Sequence, residues 1–357
     1  MFPRLDYLEW MSRRAGRVPY DLGATDLGSD SETAEIVPQA LRDREDPPAG
    51  ASLENLLAAE YDVQPESVLI TAGASHANFL AVATALESAE GASVLVERPA
   101  YQPLVETPRG LDARVDRFER GPSGEIDPET IESAASSETA LVTVTNRHNP
   151  TGHLATDEEV SRLARAAASA GSPLLIDEVY APYVTAGADG PLGAPSAAGE
   201  ENAIVTGSLT KFFGLGDLRI GWLVGQPSFV ERARQIAYHL PDVAGPSRSL
   251  ARRALYHADD LAAEKRSRVE ANYALLADFV ASREDLSGTV HEGSTFAFLE
   301  PVGTDASRVV DAAWEEGILL VPGRFYDYAS RIRISAAGTP TDVDVSLSRL
   351  GQVLTSV

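Results

Sequence analysis

Short apolar, β-branched runs recur through the first two-thirds of the chain, each bounded by polar or turn-forming residues. Six have the length and composition of buried strands: SVLIT (67–71), SVLVE (93–97), ALVTVT (140–145), PLLID (173–177), AIVTG (203–207) and RIGWLVG (219–225). Between the third and fourth lies TDEEVSRLARAAASA, where Val160, Leu163, Ala164 and Ala167 recur at helical spacing. Thr156 with Glu159 three residues on has the form of a capping box at its start. Strand–helix–strand alternation of this kind predicts an α/β fold, with a mostly parallel sheet covered by helices on both faces.

Beyond residue 245 the pattern changes. A long charged helical region, about 250–284, precedes TFAFLEP, ILLVPG and RIRISAAG, with helical stretches between them. That order predicts a smaller α+β C-terminal domain. The first 35 residues show no strong periodicity and are expected to pack onto it. The expected division is a large domain of 36–245 and a small one of 1–35 with 246–357. There is no internal repeat, low-complexity segment or heptad stretch.

Composition narrows the class. A chain of 357 residues with 44% hydrophobic content can bury a large core. No apolar run approaches the roughly 20 residues that span a bilayer. MFPRLDYLEWMSRRAG lacks the zones of a signal peptide, so a cytoplasmic location is expected. The absence of cysteine excludes disulfides, a thiol nucleophile and thiolate-held metal. The net charge of −23 is spread along the chain and opposes nucleic acid and anionic lipid as partners. Abundant acid, alanine and valine with almost no lysine resemble proteins of halophilic organisms. The melting temperature is therefore expected to rise between dilute and molar salt as screening relieves self-repulsion; an unchanged value would contradict this.

Lysine is the informative scarcity. Only Lys211 and Lys265 occur among 30 basic residues, and lysine, unlike arginine, can lose its proton to become a nucleophilic amine. Lys211 follows one strand end, and others carry further chemistry. SVLIT runs into AGASHA, ALVTVT into NRHNPTG, PLLID ends on Asp177 with Tyr180 close behind, and AIVTG leads to Ser208. Ligands of open α/β sheets gather at such ends. Singly, each piece has a plain alternative. AGASHA is compatible with an ordinary helix start and NPTG with a common turn. A lone lysine is usually surface charge, and Asp177 is simply costly if buried without a partner. Together they place a phosphate-sized turn, an amide, a carboxylate, a phenol and an amine on one edge.

HNPTG, IDEVY and SLTKFFGLGDLRIGW, in this order and with these flanking strands, resemble the signatures of class I/II aminotransferases, which have the fold-type I architecture and use pyridoxal 5′-phosphate. The resemblance covers essentially the whole chain, most specifically Thr71 to Gly225. It implies a lysine-bound Schiff base on Lys211, which then shuttles a proton, and a two-stage transfer of an amino group between an L-amino acid and a 2-oxo acid. It implies that Asp177 keeps the pyridine nitrogen protonated and that Asn149 and Tyr180 bond the ring oxygen. Arg219, Ser208, Gly73, Ala74 and Ser75 would cradle the phosphate, and Tyr101 would stack on the ring. Arg333 would bind the substrate carboxylate, with Gly23 approaching the substrate. A strand-edge ion pair for Arg219, a packing role for Tyr101 and an exposed pair Arg331/Arg333 stay open as alternatives. Family members are usually homodimers.

The chain departs from the pattern in two places. Glu45 falls where many members carry a tyrosine reaching the neighbouring subunit's phosphate, and Gln235 lies in the region where dicarboxylate-specific members carry a second arginine. His76, His148 and His153 fall near the site without metal-ligand spacing. Tyr183, Phe325, Tyr326 and Tyr328 are expected near the mouth, leaving room for an uncharged side chain. A carbon–sulfur β-lyase or an amino-acid decarboxylase would use the same lysine, aspartate and arginine. A regulatory protein on this fold would carry an N-terminal DNA-binding domain, for which too few residues precede the first strand.

Overall fold

The computed structural model describes residues 3–15, 17–25, 37–89, 92–184, 190–193 and 195–357. Among these described residues thirteen strands form three sheets. After β1 (Tyr20–Asp21) come β2 (Val68–Thr71), β3 (Ser93–Arg98), β4 (Arg114–Glu119), β5 (Thr139–Thr145), β6 (Leu174–Asp177), β7 (Ala203–Ser208) and β8 (Gly221–Val224). These last seven make one sheet in the order β2-β8-β7-β6-β5-β3-β4. Only β8 runs antiparallel to its neighbours, so the carboxyl ends of the other six share one edge.

Alternation along the strands explains the layers. Leu69, Val94, Val96, Leu141, Leu175, Ile204 and Leu223 face the helices Ala74–Ser88, Gln102–Gly110 and Pro227–Ala237. Their neighbours Ile70, Leu95, Val142, Val144, Ile176 and Val205 face Leu53–Glu60, Pro128–Ala134 and Asp157–Ser169. With both faces covered, the strands read as continuous apolar runs. The capping box at Thr156 forms: its hydroxyl accepts from the Glu159 amide while Glu159 accepts from the Thr156 amide.

β9 (Leu286–Ser287), β10 (Phe296–Pro301), β12 (Val321–Pro322) and β13 (Ile332–Ser335) form an antiparallel sheet, and β1 pairs in parallel with β11 (Ile318–Leu319). Leu22, Leu276, Leu299, Val309, Ile334 and Leu350 share its core, making the smaller α+β unit. The charged region expected as one helix is two, Gly245–Tyr256 and Ala258–Ala281, divided at His257 (φ −110°, ψ 26°). Leu250, Ala254 and Leu261 from these helices pack with the large-sheet core. The N-terminal region holds a helix, Asp6–Ser12, which periodicity did not predict.

Glu178, directly after β6, is buried, and its carboxylate accepts from the Ala197 amide (2.8 Å) and the Ser196 hydroxyl (2.7 Å). Burial pushes its pKa up to about 8, against those hydrogen bonds. A carboxyl raised in the folded state binds its proton there while the unfolded chain has already released it. Stability from this group is therefore lost as pH rises from about 4.5 toward 8. Glu178→Gln, which preserves an accepting oxygen, is expected to flatten the pH dependence of unfolding free energy across that window by a few kcal/mol. Parallel curves for the two proteins in denaturant titrations would contradict it.

Candidate active site

The shared edge carries the candidate chemistry in register. Thr145 is paired with Asp177, Asp177 with Thr206, and Ser208 with Gly221, which also pairs with Thr71. A cavity of about 280 Å³ opens there. Ala74, Ser75, Tyr101, Asn149, Asp177, Tyr180, Ser208, Lys211 and Arg219 all line it, so strands distant in sequence bring these candidates to one place.

At one end the chain closes tightly enough to leave no room for side chains. Gly73 has φ +92° and caps the helix Ala74–Ser88, and a Cβ on it would lie 2.7 Å from Arg219 Nη2. A Cβ on Gly221 would lie 2.4 Å from the Gly73 carbonyl carbon and 2.6 Å from the Ala74 nitrogen. Arg219 does not begin the strand, as expected from the sequence, but sits two residues earlier in the left-handed region (φ 50°, ψ 50°). That turn brings its guanidinium to Gly73, where Nη2 donates to the Ala72 carbonyl (3.3 Å). A helix N-terminus with no side-chain cap, an arginine and the Ser208 hydroxyl form a cradle suited to a phosphate. Gly221→Ala should displace backbone rather than a flexible side chain, weakening cofactor retention roughly five- to hundredfold. Equilibrium dialysis checks this, and native retention would contradict the close approach.

Deeper in, Asp177 is 4% exposed. Burial raises its pKa, opposed by the Asn78 amide donating to Oδ2 (2.8 Å), the Val179 amide donating to Oδ1 (3.1 Å) and the charge of Lys211. Asn78 is fixed in turn by accepting from the Thr206 hydroxyl (2.6 Å). Sequence reading missed Asn78 and Thr206; an asparagine amid the alanine-rich helix ASHANFLAV was the available signal. A buried carboxylate held in one orientation fits a ligand carrying a protonated ring nitrogen.

Arg333 is 1% exposed, which removes the exposed-pair alternative. Arg331 instead lies over the rings of Phe298 and Tyr328. Arg333 Nη1 donates to Asn149 Oδ1 (2.9 Å) and the Tyr326 hydroxyl (2.5 Å), and Nη2 to the Gly23 carbonyl (2.6 Å). Its Nε is buried without a hydrogen-bond partner among the described residues, and neither Arg333 nor Gly23 is among the residues lining the cavity; Arg333 meets it through Asn149. The Tyr180 hydroxyl is 2.7 Å from that of Thr25, a residue the sequence did not single out.

The mouth differs from expectation. Tyr183 is buried behind Tyr180 and donates to the Thr25 carbonyl (2.5 Å), while Tyr326 bonds Arg333. Tyr328 donates to Glu119 (2.8 Å), and Phe325 packs on Trp10. None of the four lines the cavity; Tyr7, Leu8 and Met11 of the N-terminal helix do. Gln235 lies on the outer helix Pro227–Ala237, donating to Glu231 (2.7 Å), and the Glu45 carbonyl lies 3.1 Å from His257 Nε2, both away from the cavity of this chain. His148 is buried between Thr151 and the Pro99 carbonyl, and its pKa is well lowered by burial and then by Arg120. His153 packs edge-on against His291, and His76 Nδ1 accepts from the Ala72 amide. Among the described residues no histidine or acidic cluster has a metal-binding arrangement.

The sequence profile of the family Aminotransferase class I and II matches residues 45–350. Histidinol-phosphate aminotransferase of Halorubrum lacusprofundi is 29% identical over 301 residues, covering 84% of this chain and 78% of that protein. Valine–pyruvate aminotransferase of Mycobacterium tuberculosis is 26% identical over 321 residues, covering 85% and 81%. The crystal structure of a PLP-dependent aminotransferase from Streptococcus suis shares the fold with a TM-score of 0.85 at 23% identity, across 99% of this chain and 98% of that one.

Proposed function

Because the chain belongs to the class I and II aminotransferase family, whose members act with pyridoxal 5′-phosphate, we propose that it moves the amino group of an L-amino acid to a 2-oxo acid in two half-reactions at this cavity, with Lys211 as the attachment point. The observation that carries the reading is the convergence of Lys211, Asp177 and the Gly73–Arg219 cradle on one cavity, with Arg333 bonded to its wall residue Asn149. Bound pyridoxal phosphate supplies an electron-accepting ring and a carrier for the amino group.

The chain's own residues do the rest. Arg219, Ser208 and the amides of Ala74 and Ser75 hold the phosphate. Asp177 holds a proton on the ring nitrogen, and Asn78 fixes the carboxylate that does so. Tyr101 covers the ring. Arg333 would orient the substrate through its α-carboxylate, and the Lys211 amine would move the proton at Cα. Tyr180 and Asn149 orient the ring through its phenolic oxygen.

The test is a single-turnover experiment with one L-amino acid at a time. Loss of the cofactor's yellow band with stoichiometric release of the matching 2-oxo acid supports transamination. Accumulation of pyruvate and ammonia, or of an amine, would establish the lyase or decarboxylase chemistry instead. We also propose a homodimer, supported by the exposed aromatic side chains of Tyr238 (72%) and Tyr256 (48%); a monomeric mass in sedimentation equilibrium would refute it.

A further inference from the structure

The N-terminal helix Asp6–Ser12 contributes three residues to the cavity wall. Tyr7, Leu8 and Met11, at i, i+1 and i+4, line the cavity, while Trp10 packs away from it on Phe325. The helix is anchored at its start by the Tyr7 amide donating to Gln102 Oε1 (2.7 Å). Tyr7 is 8% exposed and meets Tyr101 edge-on at 5.7 Å and Phe325 at 5.6 Å. Its ring lies 6.0 Å from that of Tyr326, and Arg333 and Lys211 are near enough to act on its hydroxyl electrostatically. Burial alone would raise the phenol's pKa; the charges of Arg333 and Lys211, together with the polar groups of Tyr326 and Arg333, lower it. Tyr7 is therefore near both cationic side chains that the reading above assigns to the substrate's carboxylate and its Cα proton, and Leu8 and Met11 line the same cavity.

Among the described residues lining the cavity the cations are Lys211 and Arg219, and Arg219 is turned to Gly73 and the Ala72 carbonyl. The lining also includes the apolar and aromatic side chains of Tyr7, Leu8, Met11, Tyr101 and Val179. A substrate side-chain carboxylate would lose its hydration there without gaining a counter-charge, whereas an aliphatic side chain would be covered.

We infer that the helix Asp6–Ser12 is the specificity element of this site: Tyr7 contacts the substrate beside Arg333, and Leu8 and Met11 select an amino acid with an apolar side chain. This rests on the aminotransferase reading, and its test is separable from that reading because it measures binding of unreactive carboxylates to the holoenzyme. Dissociation constants of 4-methylpentanoate and succinate are compared by calorimetry for the native protein, Tyr7→Phe, Leu8→Arg and Met11→Arg. Each variant is first checked for the cofactor's visible band and for covalent attachment at Lys211. Missing attachment in the native protein would count against the aminotransferase reading, not against this one.

The native holoenzyme is expected to bind 4-methylpentanoate at least about tenfold tighter than succinate. Tyr7→Phe should weaken both ligands about five- to tenfold with the ratio preserved. At least one arginine variant should shift the ratio about tenfold toward succinate; Leu8, at 39% exposure, gives the variant least demanding to fold. Equal or tighter succinate binding by the native protein overturns the selectivity. An unchanged ratio in both arginine variants removes the helix from specificity, and unchanged affinities in Tyr7→Phe remove Tyr7 from substrate contact.

Discussion

Lys211→Arg is expected to yield a folded protein that retains no covalently held cofactor and transaminates at under about a thousandth of the native rate, a loss on the order of 4 kcal/mol or more in transition-state stabilisation. The choice of arginine separates charge from nucleophilicity. The positive charge of Lys211 opposes the burial penalty at Asp177 and helps lower the Tyr7 pKa, and arginine keeps a positive charge at that position. What it cannot supply is a neutral amine. Borohydride reduction followed by peptide mass analysis reads the attachment directly. A pyridoxyl group on Lys265, the chain's other lysine, or native turnover in the variant would end the assignment of Lys211.

Asp177→Asn is the second large effect, and it should move stability and activity in opposite directions. Without cofactor, the buried carboxylate is a liability, since burial raises its pKa and its charged form costs stability above the ordinary carboxylate range. The near-isosteric amide removes that cost, so the variant's cofactor-free form should melt higher than the native one at pH 7. With cofactor, the carboxylate is one half of a buried charge pair, whose loss costs about 3–5 kcal/mol. Turnover should fall roughly a hundredfold to a few thousandfold. Differential scanning calorimetry of the stripped protein and steady-state kinetics of the loaded one test the two halves separately. A lower melting temperature in the stripped variant would show that Asn78 and the Val179 amide already compensate the charge in full.

The sheet was legible because six of its strands are buried on both faces and so appear as unbroken apolar runs. β4, with the sequence RVDRFE, was not, because it lies at the sheet's edge and carries arginine and aspartate among its side chains. The strand ends were legible for a related reason: polar residues placed directly after apolar runs need a use. The Asn78–Asp177 bond was hidden because its partners lie 99 residues apart and only pairing of β6 with β7 brings Thr206 behind them. Arg219 was misplaced by two residues because an apolar run shows where a strand can extend, whereas the crossing of Gly221 over the Gly73–Ala74 backbone decides where it starts. The helix Asp6–Ser12 spans only seven residues, about two turns, too few for a period to emerge, and its inward residues look unremarkable until the cavity beneath them is seen. Composition does not reveal where Tyr183, Tyr326 and Tyr328 point, and their hydroxyls bond the Thr25 carbonyl, Arg333 and Glu119.

The bond from Arg333 to the Gly23 carbonyl spans 310 positions. During synthesis at about 5–20 residues per second, Gly23 leaves the ribosome roughly fifteen seconds to a minute before its partner exists. The strands of the large sheet end at Val224, so that sheet can form while the clamp is still half made. A growing chain can thus bring Asp177, Ser208 and Lys211 together on one sheet edge before the Arg333–Gly23 bond can form, so in the proposed reading the cofactor's site precedes the substrate's.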